Sequence, residues 1–156
     1  MAKKKILIFS LAYYPFVGGA EVALKEITDR ISPDEIEFHM ITLRFYKRLP
    51  KFEKVGNIFV HRIGFTKSNP NAADLKKSPL HLNKYFFQFL APIKAAVLHR
   101  RYGYDGIWAM MAHSSGIPAG IFKTFYKNVF YVLTLQEGDP PEYIEHKARL
   151  AWPLFV

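Results

Sequence analysis

Cysteine is absent from the chain, which excludes a disulfide framework, a thiolate metal site and a cysteine nucleophile. Long apolar runs are absent as well. The longest stretch without Asp, Glu, Lys or Arg is the 17 residues 106–122, fewer than the roughly 20 that a membrane-spanning helix needs. No cleavage-site pattern follows the short apolar run 6–9, so we expect no signal peptide. With 156 residues, half of them apolar, the chain is predicted to be a cytoplasmic globular protein.

Acidic residues are scarce too, with 13 Asp and Glu against 22 Lys and Arg and a net charge of +9. Residues 44–101 hold 13 basic and 2 acidic side chains, a net charge of +11, and the rest of the chain sums to −2. Within this basic segment, residues 44–51 and 85–90 interleave aromatic side chains with cations. Three interpretations stay open: peripheral contact with a membrane surface, nucleic-acid binding, or core aromatics beside a solvated face. No nucleic-acid-binding motif is present, so we expect no nucleic-acid partner, and the Phe spacing of 85–90 favours a buried helix face.

Strand and helix patterns alternate along the chain. Apolar, β-type runs predict strands at 5–9, 36–43, 56–63, 106–110 and 128–135, and helical spacing predicts helices at 20–31, 82–97 and 114–126. We expect the second helix to be kinked or restarted near Pro92 and the third to be capped by Ser114 or Ser115. This alternation predicts an α/β three-layer sandwich with a mainly parallel sheet. Its chemistry is expected where strands end, in the loops 10–19, 111–116 and 136–141.

The first of these loops ends in Gly18 and Gly19, directly before a predicted helix. Glycines there let a ligand approach the backbone, and the free N–H groups and positive dipole of a helix start favour a phosphate or another anion. The string is neither a G-x-G-x-x-G fingerprint nor a P-loop. A plain tight turn is the alternative interpretation.

A longer string carries a resemblance. The string follows a first strand that begins with Lys5-Ile-Leu-Ile. It resembles the N-terminal signature of the group 1 (family 4) glycosyltransferases of the GT-B fold. The residues that match this signature are Tyr14, Pro15, Gly18, Gly19, Ala20 and Glu21. The likeness in layout spans essentially the whole chain. It implies a Rossmann-like domain and retaining transfer of a sugar from a nucleotide-sugar donor to a glycan or lipid-linked acceptor. It implies no metal or other cofactor.

Such enzymes have two Rossmann-like domains with the active site between them. The resemblance therefore implies that residues 1–156 form the acceptor-side domain, and that the domain binding the nucleotide sugar is absent from this chain. The apolar end at 151–156 adds to the expectation of a longer parent protein. By itself this domain is expected to be inactive. Because enzymes of this group often act on lipid-linked acceptors, the resemblance also implies a cytoplasmic protein that binds peripherally to the inner face of the membrane.

The resemblance assigns roles to individual residues. Gly18 and Gly19 would face the donor diphosphate, and His113 would lie beside the donor sugar and act electrostatically. Tyr14 is expected near the acceptor. Glu137 and Asp139 stand where the family often has a histidine, and their carboxylates suit acceptor hydroxyls. A core histidine is the alternative for His113, and a helix cap at Asp139 is the alternative for the last loop.

Two other functions stay open. One is a Rossmann-like nucleotide- or anion-binding module without transfer chemistry. The other is a GT-B-fold epimerase of sugar nucleotides, which would need additional active-site carboxylates and histidines.

Overall fold

The computed structural model describes residues 2–70, 74 and 77–135. Its strands form one sheet in the order β3-β4-β2-β1-β5-β6, with the bounds β1 Lys4–Phe9, β2 Ile36–Leu43, β3 Phe52–Val55, β4 Ile58–Ile63, β5 Gly106–Met110 and β6 Phe130–Thr134. All neighbouring strands are parallel except β3 and β4. The predicted mainly parallel sheet is confirmed.

Within the described residues, three α-helices cover the sheet: α1 Gly19–Asp29, α2 Asn83–Tyr102 and α3 Ile117–Phe125. Leu24 of α1 belongs to one buried cluster with Ile8 and Met40, whereas Phe87 of α2 belongs to another with Leu7. Because Leu7 and Ile8 are successive residues of one strand, the two clusters lie on opposite faces of the sheet. This arrangement confirms the predicted α/β sandwich of Rossmann type.

The strand order has a switch point between β1 and β5. From β1 the chain proceeds in one direction to β2, and after α2 it returns to the other side of β1 as β5. Ligands of such sheets bind outside the carboxyl ends of the strands where the order reverses. The loops after β1 and β5 therefore meet at this edge of the sheet.

Strand β3 was not predicted. It pairs antiparallel with β4, and the two strands are joined by Gly56 and Asn57, so the predicted strand 56–63 begins only at Ile58. Gly56 has a φ of +57°, the left-handed conformation that a two-residue hairpin turn requires. The Gly-Asn pair between two β-type runs was the sequence signal for this hairpin.

Helix α2 differs from its sequence prediction in two respects. It runs without interruption through Pro92, so the predicted restart is wrong, and the alternative of a kink stays a prediction. The apolar stripe predicted to be buried is exposed, with Phe89 67% and Ile93 62% accessible, and the buried face is formed by Asn83, Phe87, Ala91, Pro92, Ala95 and Leu98. Alanines on that second face let the helix axis approach the sheet closely, which the larger stripe would prevent. The predicted helical spacing of the apolar residues was correct, but the prediction of which face is buried was wrong. None of the described helices is both long and apolar enough to cross a bilayer.

Candidate functional site

The loop 10–18 leads from the end of β1 to the start of α1 and is anchored along its length. Ser10 Oγ donates to the Ala12 carbonyl oxygen at 2.9 Å, and the Leu11 carbonyl oxygen accepts from the Leu43 amide at 3.2 Å. The Tyr13 side chain is buried, and Tyr14 stacks edge-on against it with ring centroids 5.1 Å apart. Burial, helped by the negative charge of Asp29, raises the pKa of Tyr13. The loop is therefore a fixed part of the fold.

Glycines are not required by the backbone conformation at the start of α1. Gly18 has a φ of −111° and a ψ of −167°, which any residue can adopt, and Gly19 has no positive φ. A Cβ added at Gly19 would meet no heavy atom within 4 Å. A turn that requires a positive φ thus does not explain the two glycines; a Cβ at Gly18 would lie 3.2 Å from Glu21 Oε2, whereas Gly19 has no such neighbour. The open space above Gly19 is what close approach of a ligand to the backbone requires.

The amides of this helix start fall into two groups. The Gly18 N–H is occupied, because it donates to Glu21 Oε2 at 2.7 Å in the manner of a capping box. For the amides of Gly19, Ala20 and Glu21, the described part of the chain supplies no hydrogen-bond acceptor. The group that can hold an anion is therefore the first turn from Gly19 onward, one residue later than the predicted Gly18-Gly19 pair.

Arg62 fixes the same loop from the opposite side. Its guanidinium donates to the Tyr14 carbonyl oxygen at 2.8 Å and pairs with Glu53 at 2.5 Å, while its side chain is 1% exposed. Sequence reasoning missed this role. The signal was present, since Ile58, Val60 and Arg62 share one face of β4, and a charged residue on an otherwise apolar face is rarely buried without a partner.

The second loop of the site begins at Met111, directly after β5. Met111 has a φ of +73°, a conformation that costs a non-glycine residue energy and persists only where surrounding contacts impose it. Its amide donates to the Thr134 carbonyl oxygen of β6 at 2.9 Å. One turn of π-helix follows over Ala112–Gly116, which places the backbone of His113 at the carboxyl end of β5.

This π turn replaces the predicted serine cap. Helix α3 begins at Ile117 and its N-cap Gly116 makes no side-chain bond, so neither Ser114 nor Ser115 caps it. The Ser114 carbonyl oxygen accepts instead from Gln88 Nε2 at 3.2 Å. The Ser115 hydroxyl is buried and has no partner among the described residues.

The structure places the predicted site residues as follows. Tyr14 and Gly18 lie on the loop after β1, Gly19 is the first residue of α1, and the backbone of His113 lies at the end of the adjacent strand β5. Glu137 and Asp139 lie outside the described residues. In the part of the chain that the structure describes, no group of three or more His, Asp or Glu side chains is arranged to hold a metal ion.

Comparisons with known proteins extend these observations. No family model and no curated protein matches the chain. Among solved structures, it is similar to sucrose-phosphate synthase from Thermosynechococcus elongatus, with a TM-score of 0.55 and 14% identity over 86% of this chain. The chain spans only 33% of that protein. At this identity the likeness concerns the fold, and it agrees with the Rossmann-like arrangement described above.

Proposed function

We propose that this chain is the N-terminal, acceptor-side domain of a retaining glycosyltransferase of the GT-B fold. The enzyme would transfer a sugar from a nucleotide-sugar donor to a glycan or lipid-linked acceptor. The observation that carries the proposal is the open first turn of α1 at the switch point of the sheet. The fold shared with a GT-B glycosyltransferase, together with the Tyr-Pro and Gly-Gly-Ala-Glu signature, supports the same function.

The donor diphosphate would bind at the first turn of α1. The amides of Gly19, Ala20 and Glu21 supply donors, and the positive end of the helix dipole favours negative charge. The missing Cβ at Gly19 lets phosphate oxygens reach the backbone. As the sugar–phosphate bond breaks, negative charge develops on the departing phosphate, and preorganised amides stabilise it.

His113 would act on the transferring sugar. Its backbone lies at the end of β5, beside strand β1, which leads into the loop 10–18 (the glycine loop). The strained Met111 precedes His113 by two residues. In that place an imidazole orients a sugar hydroxyl or supports the charge of an oxocarbenium-like transition state. The departing phosphate accepts the proton of the acceptor, so the chain need not supply a general base, and no metal is required.

The acceptor would lie along the loops that flank the donor site. Tyr14 is held there by Arg62, and Glu137 and Asp139 would accept hydrogen bonds from acceptor hydroxyls. For a lipid-linked acceptor, the exposed face of α2 would contact the membrane surface from the cytoplasmic side. That helix carries exposed Phe89 and Ile93, four basic residues and no acidic ones, as expected for contact with anionic lipids.

A transfer assay on a protein that carries this domain together with its nucleotide-sugar domain tests the proposal. Nucleoside diphosphate release from a panel of uridine, guanosine and adenosine diphosphate sugars is expected in the presence of glycan or lipid-linked acceptors. His113→Ala should lower kcat about 100-fold with unchanged thermal stability.

The alternatives give different outcomes in that assay. Binding of a nucleoside diphosphate without transfer from any donor would identify a nucleotide-binding module. Appearance of an epimerised free sugar without a glycosylated acceptor would identify an epimerase.

A further inference from the structure

A cavity lies at the carboxyl ends of β2 and β4, at the same edge of the sheet as loop 10–18. Its volume is about 420 Å³, within the range of small-molecule sites, and it opens between Lys94 of α2 and the β3–β4 hairpin. Four of the eight described residues that line it are Lys or Arg, a fifth is His61, and none is acidic; the four cations are Arg44, Lys51, Arg62 and Lys94. Neither the predicted donor site nor the predicted acceptor residues include this cavity.

The positive charge of this cavity is largely uncompensated. Arg62 is neutralised by Glu53. Arg44 donates to the carbonyl oxygens of Leu49 and Lys47, at 2.7 and 2.6 Å, and these neutral acceptors leave its charge in place. Lys51 and Lys94 have no ion-pair partner within residues 2–70, 74 and 77–135. Three unneutralised cations around one cavity raise the local concentration of anions.

His61 adds a hydrogen-bond acceptor to the same cavity. Glu37 Oε1 lies 3.1 Å from His39 Nε2, and His39 Nδ1 lies 3.0 Å from His61 Nε2. A carboxylate only accepts, so the proton of neutral His39 is on Nε2, and its Nδ1 must accept from His61 Nε2–H. The remaining Nδ1 of His61 therefore carries a lone pair and no proton.

The electrostatic surroundings keep His61 in this neutral form. Burial lowers the pKa of His61 to about 4, with further contributions from His39, Lys94 and Arg101. The charged groups around the two rings are Glu37, Lys3 and Lys5 near His39 and Lys94 and Arg101 of α2 near His61, and the rings of Tyr102 and Tyr104 pack against them. The cavity thus combines cations with an uncharged acceptor.

We propose that this cavity binds a phosphate monoester, such as a phosphorylated sugar. The phosphate oxygens accept hydrogen bonds from the ammonium groups of Lys51 and Lys94, and a P–OH donates to His61 Nδ1. A phosphate monoester carries between one and two negative charges near pH 7 and still holds a proton in part of its population. A sulfate carries two full negative charges and no proton to donate, so a preference for phosphate over sulfate reports the hydrogen bond to His61 and not the charge.

Isothermal titration calorimetry on the 156-residue chain at pH 6.5 tests this site with inorganic phosphate, sulfate, glucose 6-phosphate and glucose. We expect phosphate and glucose 6-phosphate to bind, sulfate to bind about tenfold more weakly for lack of one hydrogen bond, and glucose not to bind. Failure of the wild-type chain to bind phosphate, or equal affinity for sulfate and phosphate, would overturn the proposal.

Matched variants locate the binding. Lys94→Gln should weaken phosphate binding about tenfold, because a charge-assisted hydrogen bond is lost. Lys84→Gln removes the same charge from the same helix outside the cavity, and its affinity should stay within about twofold of wild type by the screening of exposed charges. His61→Asn should abolish the preference for phosphate over sulfate. If this buried variant does not fold, the phosphate affinities of Lys94→Gln and Lys51→Gln still test the site. Equal losses in Lys84→Gln and Lys94→Gln would mean nonspecific attraction and contradict the site.

The phosphate monoester can come from a soluble metabolite or from a lipid headgroup. Sedimentation with phosphatidylcholine vesicles containing phosphatidic acid distinguishes the two sources. Vesicle binding that Lys94→Gln weakens and glucose 6-phosphate displaces assigns the cavity to the lipid phosphate. Calorimetric binding without such vesicle binding assigns it to a soluble monoester. No nucleotide sugar is present in either experiment, so the result is independent of whether sugar transfer occurs.

Discussion

Arg62 Nη2 donates a 2.8 Å hydrogen bond to the carbonyl oxygen of Tyr14, which lies 48 residues earlier in the chain. The bond connects a strand near one edge of the sheet to the loop that precedes the open turn of α1. Because Arg62 is also paired with Glu53, its head group has one fixed position. The shape of the glycine loop therefore depends on a side chain of β4.

Replacing Arg62 with Met should destabilise the domain by about 3 kcal/mol, because the Glu53 carboxylate loses its partner and the Tyr14 carbonyl loses its donor. The unfolding free energy from urea denaturation measures this. Arg30→Met is the control, since Arg30 and its partner Glu26 are both exposed, and a change below about 0.5 kcal/mol is expected there. Similar effects of the two substitutions would contradict the anchoring role.

The buried histidine pair should make stability depend on pH. The pKa of His61 lies near 4 in the folded chain and near 6.5 in the unfolded chain, so only the unfolded state takes up the proton between these values. Stability is complete above pH 6.5, falls as the pH is lowered toward 4, and loses nothing more from this residue below that. The full loss should amount to about 3 kcal/mol, from the pKa difference at 1.36 kcal/mol per pKa unit.

Urea denaturation at pH 7.5, 6, 5 and 4.5 measures this dependence. His61→Phe removes the titrating group and keeps an aromatic ring beside Phe52, so its stability should change less over the same interval. An unchanged slope in the variant would show that other groups cause the pH dependence.

The alternation of strands and helices was predictable because buried parallel strands and amphipathic helices leave different periods in the sequence. Which face of α2 is buried could not be predicted. Phe86, Phe89 and Ile93 form one apolar stripe and Phe87, Ala91 and Ala95 another, and only packing against the sheet decides between them. The sequence showed that Arg62 lies on an apolar face and needs a partner, but its bond to Tyr14 could not be predicted because it depends on a contact with a distant loop.

The two faces of α2 should respond differently to truncation. Phe87 is fully buried, so Phe87→Ala should cost about 3–5 kcal/mol through lost burial and a cavity. Phe89 is 67% exposed, and Phe89→Ala should cost less than about 1 kcal/mol. Thermal and urea unfolding of both variants measure the difference. A large loss in Phe89→Ala would show that this face is covered in the folded chain.

The capping contact of Glu21 should contribute a small, separable amount to stability. Glu21→Ala removes the acceptor for the Gly18 amide and should lower the unfolding free energy by about 0.5–1 kcal/mol. Glu21→Gln keeps an acceptor oxygen in the same place and should retain most of that stability. If both variants behave alike, the charge near the helix start matters and the hydrogen bond does not.

The most direct test of the donor site is calorimetric titration with uridine and guanosine diphosphates of a protein that carries this domain together with its nucleotide-sugar domain, as wild type and as the Gly19→Val variant. A Cβ at Gly19 meets no atom of the protein, so the variant should fold with nearly unchanged stability while its side chain blocks the free amides. We expect the wild-type two-domain protein to bind a nucleoside diphosphate and Gly19→Val to weaken this binding at least about tenfold. A variant that binds as tightly as wild type, or a wild-type two-domain protein that binds neither diphosphate, would contradict the donor site.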